Sequence, residues 1–138
     1  MQRLTQEILR LCREYGECRV EAERMEEARR VKNALESVCS MARQRLDISD
    51  PALLLALLDA CEVTRDEGML QEVLDVVGRN LDRLAVSAES VKLLACCYYY
   101  VEEEECVERA GRMLEELRKM GRGEEELADV ETILEELT

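Results

Sequence analysis

The sequence predicts an all-α protein, a right-handed stack of antiparallel helical hairpins with about seven helices and a C-terminal capping helix. Three observations support this fold class. Helix-forming residues dominate the 138-residue chain, which has one proline and six glycines. Apolar residues recur every three to four positions between short breaks, as on one face of an α-helix. The chain also matches itself when it is shifted by 36 residues, a period typical of stacked helical hairpins.

The N-terminal third predicts a short helix followed by a long one. Apolar residues on one helical face stop before Gly16, so the first helix is expected over about 3–15. A second apolar stripe runs from Met25 to Ala42 without a helix breaker. It predicts one long helix, or two in tandem, over about 18–46.

The motif DISDP at 47–51 is the clearest helix boundary in the chain. Asp50 is a suitable N-cap, and Pro51 fits the first helical turn, where a missing N–H costs nothing. Ser87 is a second expected N-cap, and Gly68 is expected to mark a turn. The remaining helices are expected over about 51–65, 69–84, 88–102, 104–120 and, after the break GRG at 121–123, to the end of the chain.

The shift of 36 residues places LLDAC at 57–61 over LLACC at 93–97. The apolar stripe Leu55, Leu58, Cys61 then falls on Val91, Leu94, Cys97 and on Leu127, Val130, Ile133 of the last helix. We therefore predict a single domain over 1–138. Its parts are a divergent N-terminal hairpin with a long second helix (1–46), two hairpins (51–84 and 87–120) and the capping helix (124–137).

The segment AESVKLLACCYYY at 88–100 resembles the first helix of a tetratricopeptide repeat, with Val91, Leu94, Ala95 and Tyr98 at the signature positions. The segment CVERAGRMLEELRKMG at 106–121 is similar to the second helix of a pentatricopeptide unit. The resemblance covers roughly residues 51–137 and is to the helical-repeat class rather than to one family. It implies a scaffold or adaptor that binds another protein.

Composition narrows the function further. The chain has no histidine, so an ordinary general base near neutral pH and an imidazole metal ligand are both absent. A formal net charge of −13 disfavours nucleic acids and anionic membranes, because their phosphates would be repelled. The same charge favours a basic protein or peptide as the partner. We expect no enzyme activity and no cofactor.

The stretch ACCYYYVEEEEC at 95–106 raises the question of a reactive or metal-binding cysteine cluster. A zinc site usually contains CxxC pairs, and a reactive thiolate needs nearby positive charge. Neither occurs here, so we interpret the stretch as structural helix. The seven cysteines, an odd number on apolar helical positions, predict reduced and buried thiols.

One face of the third and fifth helices is expected to be free of the core. We predict a partner-binding tract there, formed by Leu53, Ala56, Val63, Lys92, Cys96, Tyr99 and Tyr100. An exposed tract of Leu, Ala, Val and Tyr is typical of a binding site. In the alternative interpretation, the long N-terminal helix covers this tract within the monomer.

These observations predict a non-catalytic adaptor that receives a basic or amphipathic partner helix or peptide on the third and fifth helices. Two alternatives stay open: a homodimeric assembly element that uses the same tract, and a designed helical-repeat protein without a natural function. The longest apolar run, at 52–58, is too short to span a bilayer. We expect an intracellular protein, cytoplasmic or nuclear, and the chain could be one fragment of a longer solenoid.

Overall fold

A computed structural model describes residues 2–121 and 124–137 of the chain. Within these residues every regular element is helical and no strand occurs. None of the helices among them is both long and apolar enough to cross a membrane. The helices are α1 (Gln2–Cys18), α2 (Met25–Arg43), α3 (Pro51–Thr64), α4 (Glu67–Arg79), α5 (Ala88–Val101), α6 (Glu104–Lys119) and α7 (Glu124–Leu137).

Side-chain caps explain where three of these helices begin. The Asp50 carboxylate accepts a hydrogen bond of 3.2 Å from the Leu53 amide at the start of α3. Asp66 does the same for α4, and Ser87 accepts from the Ser90 amide at 3.1 Å at the start of α5. Each cap satisfies an amide that has no partner within the helix. The N-caps predicted at Asp50 and Ser87 are therefore confirmed.

The boundaries predicted at two glycines were wrong: α1 runs past Gly16 to a buried cysteine, and the Asp66 cap starts α4 before Gly68. α1 continues through Gly16 and ends at Cys18, which is buried. Gly68 lies inside the first turn of α4, which begins at Glu67 and ends at Arg79. The turn before α4 is made at Arg65 and Asp66 instead.

One long helix, or two in tandem, was expected over about 18–46, and the structure has a single α-helix there, α2, which begins at Met25 and ends at Arg43. A single 3₁₀ turn at Ala22–Arg24, with no buried residue, separates α1 from α2. Val20 is 77% exposed, so this segment buries too little apolar surface to continue the helix. It reverses the chain between two helices that pack together. Of the break predicted at 121–123, residues 122 and 123 lie outside the described part of the chain.

The helices pack in a regular order. α1, α3, α5 and α7 contact one another in succession, and α2, α4 and α6 pack against α1, α3 and α5 respectively. Aliphatic side chains fill the space between them, and twelve of the largest are almost completely buried. These are Ile8, Leu35, Leu53, Leu54, Leu57, Met69, Val73, Val77, Leu93, Leu94, Met113 and Leu117.

α3 and α5 correspond in length and cap positions at an offset of 37 residues rather than the predicted 36. Pro51 and Ala88, which begin two helices of 14 residues each, lie 37 residues apart. Their N-caps and the left-handed residues that end them, Arg65 and Glu102, keep the same separation. The predicted offset was chosen from similar residue types in the two helices, whereas the observed offset is the one at which their N-caps and C-caps coincide. A shift of one residue along an α-helix is a rotation of about 100°. The offset of 37 therefore matches the outward residues of α5 with different residues of α3 than the offset of 36 does.

Candidate functional site

The exposed positions of α3 and α5 form one continuous face. On α3 the outward residues include Asp59 and Glu62, and on α5 they include Cys96 and Tyr99, each pair three residues apart. α3 packs directly against α5. Burial raises the pKa of the Cys96 thiol, and the nearby charges of Asp59 and Glu62 add to this effect. We call this the α3–α5 surface and define it by Asp59, Glu62, Val63, Lys92, Cys96, Tyr99 and Tyr100.

Two residues predicted for the partner-binding tract do not belong to this surface. Leu53 and Ala56 are each only 1% exposed, because both lie on the buried side of α3, which packs against several other helices. The predicted register matched Ala56 with Lys92 and placed Leu53 alongside it. The alternative, in which the long N-terminal helix covers the whole tract, differs from the structure, because the other five positions stay accessible.

The other five predicted residues remain accessible to different extents. Val63, Lys92, Cys96 and Tyr100 are half-buried, and Val63, Cys96 and Tyr100 pack against the core. Tyr99 is 71% exposed. Its ring meets that of Tyr100 edge to face, with 5.2 Å between the centroids and 86° between the planes. Such a pair holds an aromatic side chain in place at the surface.

The sequence interpretation missed Asp59 and Glu62, which give the surface its charge. Neither forms an ion pair among the described residues. The Asp59 side chain is partly exposed yet closely surrounded by protein, and this burial raises its pKa, with a smaller contribution from Glu62. The correct register could have been read from the two N-caps, because Asp50 and Ser87 lie 37 residues apart and begin equivalent helices.

Two clefts flank these acidic residues. The first, of about 510 Å³, is lined by Leu9, Cys12, Arg13, Asp59, Glu62 and Val63, so it lies between α1 and α3. The second, of about 300 Å³, is lined by Cys61, Glu62, Arg65, Asp66, Glu67, Leu70, Tyr99 and Tyr100. Glu62 lines both clefts. Apolar and aromatic groups beside carboxylates are suited to an amphipathic ligand that carries positive charge.

The α1 end of this region is held in place by a hydrogen bond between helices. Arg19, just beyond α1, donates to the backbone carbonyl of Val63 at 3.2 Å. Its guanidinium also lies 5.9 Å from the centre of the Tyr15 ring. The end of α1 is therefore fixed beside the end of α3, where the first cleft lies.

The cysteines are free thiols in an environment that suppresses their ionisation. Cys96 is half-buried, and the other six are buried. Burial raises the pKa of Cys12 to about 11 and the pKa values of Cys39, Cys61 and Cys97 to about 12. Since the thiolate is the nucleophile, these groups are unreactive near neutral pH. Within the described part of the chain, no three His, Cys, Asp or Glu residues are placed to hold a metal ion.

Comparisons of this chain with protein families, with curated proteins and with solved structures gave no match, so the interpretation of its surface rests on the geometry above.

Proposed function

We propose that the protein is a non-catalytic interaction scaffold that binds a basic, amphipathic helix or peptide of another protein on the α3–α5 surface. The observation that carries the proposal is the exposed Tyr99 ring, which contacts Tyr100 and lines a cleft together with Glu62. Glu62 and Asp59, on the same surface, form no ion pair with any described residue. Tyrosine is enriched among the residues that dominate binding energy at protein interfaces. Unpaired carboxylates beside it select a cationic ligand.

The order of helix contacts supports a helical-repeat scaffold. α1, α3, α5 and α7 pack in succession, and α3 and α5 have the same length and the same cap positions at an offset of 37 residues. In a helical-hairpin stack, the successive inner helices form one extended surface suited to a peptide ligand. The resemblance of residues 88–100 to a tetratricopeptide helix agrees with this proposal.

The ligand would lie across α1, α3 and α5 with two kinds of contact. Its apolar side would cover Leu9, Val63 and Tyr99, which stand at the edges of the clefts. Its lysine or arginine side chains would reach Asp59 and Glu62. The net charge of −13 would accelerate the encounter with a cationic partner, as electrostatic steering does for other complexes.

A closed dimer through the same surface is a weaker candidate. A two-fold axis brings each patch against its own copy, so Asp59 and Glu62 would face the same carboxylates of the second chain. Like charges juxtaposed at an interface cost several kcal/mol. The charge of the surface therefore favours a different protein over a second copy in this position.

The test is a binding titration with a synthetic amphipathic peptide of leucine and lysine, about 20 residues long so that it forms a helix. Tyr99→Glu should weaken binding at least about tenfold, which corresponds to about 1.4 kcal/mol. The control is Met120→Glu, which adds the same charge at the C-terminal end of α6. Met120 is 62% exposed and lies outside the α3–α5 surface, so this variant should bind like wild type.

A leucine–glutamate peptide with the same pattern is the ligand control and should not bind. Equal binding of both peptides, or equal binding by Tyr99→Glu and wild type, would contradict the proposal. Circular dichroism of Tyr99→Glu must match the wild type. If that variant unfolds, Tyr99 is a core residue and the proposed surface is wrong.

A further inference from the structure

A second groove lies between α1 and α2. It has a volume of about 460 Å³, and among the described residues only α1, α2 and the two residues after α2 line it. Leu4, Val38 and Met41 form its apolar part, and Met41 is 60% exposed. The buried side of α2 is a different stripe that includes Leu35 and Cys39. The groove is therefore a second apolar surface, separate from the α3–α5 surface.

The rim of this groove is basic. Arg3 and Arg45 line it, and both are exposed and form no ion pair within the described part of the chain. The single acidic residue among those lining it, Glu7, is paired with Arg10. The free charge at the groove is consequently positive, in a protein whose net charge is strongly negative.

The charge of the chain is divided between its two ends. Residues 1–46 contain ten Lys and Arg against eight Asp and Glu, whereas residues 47–138 contain nine against twenty-four. The last helix, α7, has seven acidic residues and no basic one. Of its described side chains, Asp129, Glu135 and Glu136 are exposed and form no described ion pair, while Glu131 is paired with Arg118.

We propose that the α1–α2 groove binds the exposed acidic side of α7 from a second copy of this chain. Arg3 and Arg45 would pair with Glu135 and Glu136, and Met41 would be covered by the docked helix. Charge complementarity selects this occupant, because α7 is the most acidic helix of the chain and the groove is a basic site at its other end. The proposal uses neither Tyr99 nor Asp59 and does not depend on the proposed function.

The geometry of this contact distinguishes it from a closed dimer. The groove and α7 are different surfaces, so each added copy leaves one groove and one α7 free. Association is therefore head to tail and continues beyond two chains. We would measure it at about 0.15 M salt, where the Debye length of about 8 Å screens repulsion between distant acidic groups but not charges in contact.

The experiment is size-exclusion chromatography with light scattering over a wide range of concentration, in reductant. Wild type should grow past two chains as concentration rises. Arg3→Glu/Arg45→Glu, which alters the groove, and Glu135→Gln/Glu136→Gln, which alters α7, should each stay at the monomer mass of 15.9 kDa. A mixture of these two variants should give a discrete dimer, because one intact groove meets one intact α7.

The matched control is Arg29→Glu/Arg79→Glu, which makes the same charge change at exposed side chains outside the groove and should associate like wild type. A wild type that stays monomeric at every concentration would overturn the proposal. So would a groove variant that associates like wild type, or a mixture that stays monomeric. Association lost in Tyr99→Glu but kept in the groove variant would assign the contact to the α3–α5 surface instead.

Discussion

Arg43 at the end of α2 and Glu72 in α4 are joined by paired hydrogen bonds, with 2.9 Å between Arg43 Nε and Glu72 Oε2. Arg43 also lies 3.7 Å from Asp66, the N-cap of α4. The guanidinium therefore links the N-terminal hairpin to the next one at the surface. Paired hydrogen bonds of this kind favour arginine over lysine.

We expect Glu72→Gln to lower the free energy of unfolding by roughly 0.5 kcal/mol at neutral pH, the usual size for an exposed pair. The hydrogen bond from Arg43 lowers the pKa of Glu72. The contribution is thus fully present above the unfolded pKa of about 4.3 and is lost as pH falls through the folded value. Urea unfolding of wild type and variant at pH 7 and at pH 3 measures the loss of stability and its pH dependence. An equal loss at the two pH values would show that the ionised Glu72 carboxylate is not its source.

Asp59→Asn should affect stability and binding in opposite directions. Burial raises the pKa of Asp59, so its ionised form destabilises the folded chain at neutral pH. The variant should gain roughly 0.5 kcal/mol at pH 7, allowing for solvent screening of a partly exposed group. It should lose affinity for the leucine–lysine peptide. The gain should vanish at low pH, where Asp59 is protonated in both states, and a gain that persists there would have another cause.

Leu53→Ala tests the corrected register. Leu53 is buried between helices, so removing its side chain should cost about 2–5 kcal/mol of stability. Peptide affinity should be unchanged under conditions where the variant is folded. If the variant instead kept the stability of wild type and lost affinity for the peptide, Leu53 would be a residue of the binding surface rather than of the core.

Thiol labelling should single out Cys96. It is half-buried, whereas the other six cysteines are buried. Burial raises the pKa of all seven thiols, so the access of the reagent to the sulfur decides which one is labelled first. Mass spectrometry after treatment with an alkylating agent at pH 8 should show one fast modification in the native protein and seven in denaturant. Cys96→Ser should remove the fast one. Fast labelling of Cys97 instead would mean that α5 is rotated from the position described.

Arg65→Gly and Glu102→Gly should each stabilise the protein. Both residues end a helix in the left-handed conformation, with φ of 59° and 51°, which is unfavourable for side chains other than glycine. We expect a net gain of only about 0.5–1 kcal/mol for each, because the larger entropy that glycine loses on folding offsets part of the relieved strain. Gly121, with φ of 70°, is the opposite case, so Gly121→Ala should destabilise. Thermal unfolding of the three variants measures these signs.

Much of the helix pattern followed from local signals. Asp50 and Ser87 begin α3 and α5 as predicted, because a cap satisfies amides within three residues of itself and needs no distant partner. The predicted end of α5 was also close to the observed end at Val101. The apolar stripe predicted through Leu127 and Val130 involves side chains outside the described part of α7.

The sequence by itself determined that this chain is helical, where its capped helices begin, and that Tyr99 stands outside the core. Only the tertiary structure decided that α1 passes through Gly16, that the segment before Met25 leaves the helix, and that Asp59 rather than Ala56 faces outward. Helix formation and capping depend on neighbours a few residues away. The rotation of a helix about its axis depends on which of its sides the packed helices cover, and in α3 the covered side carries Leu53 and Ala56.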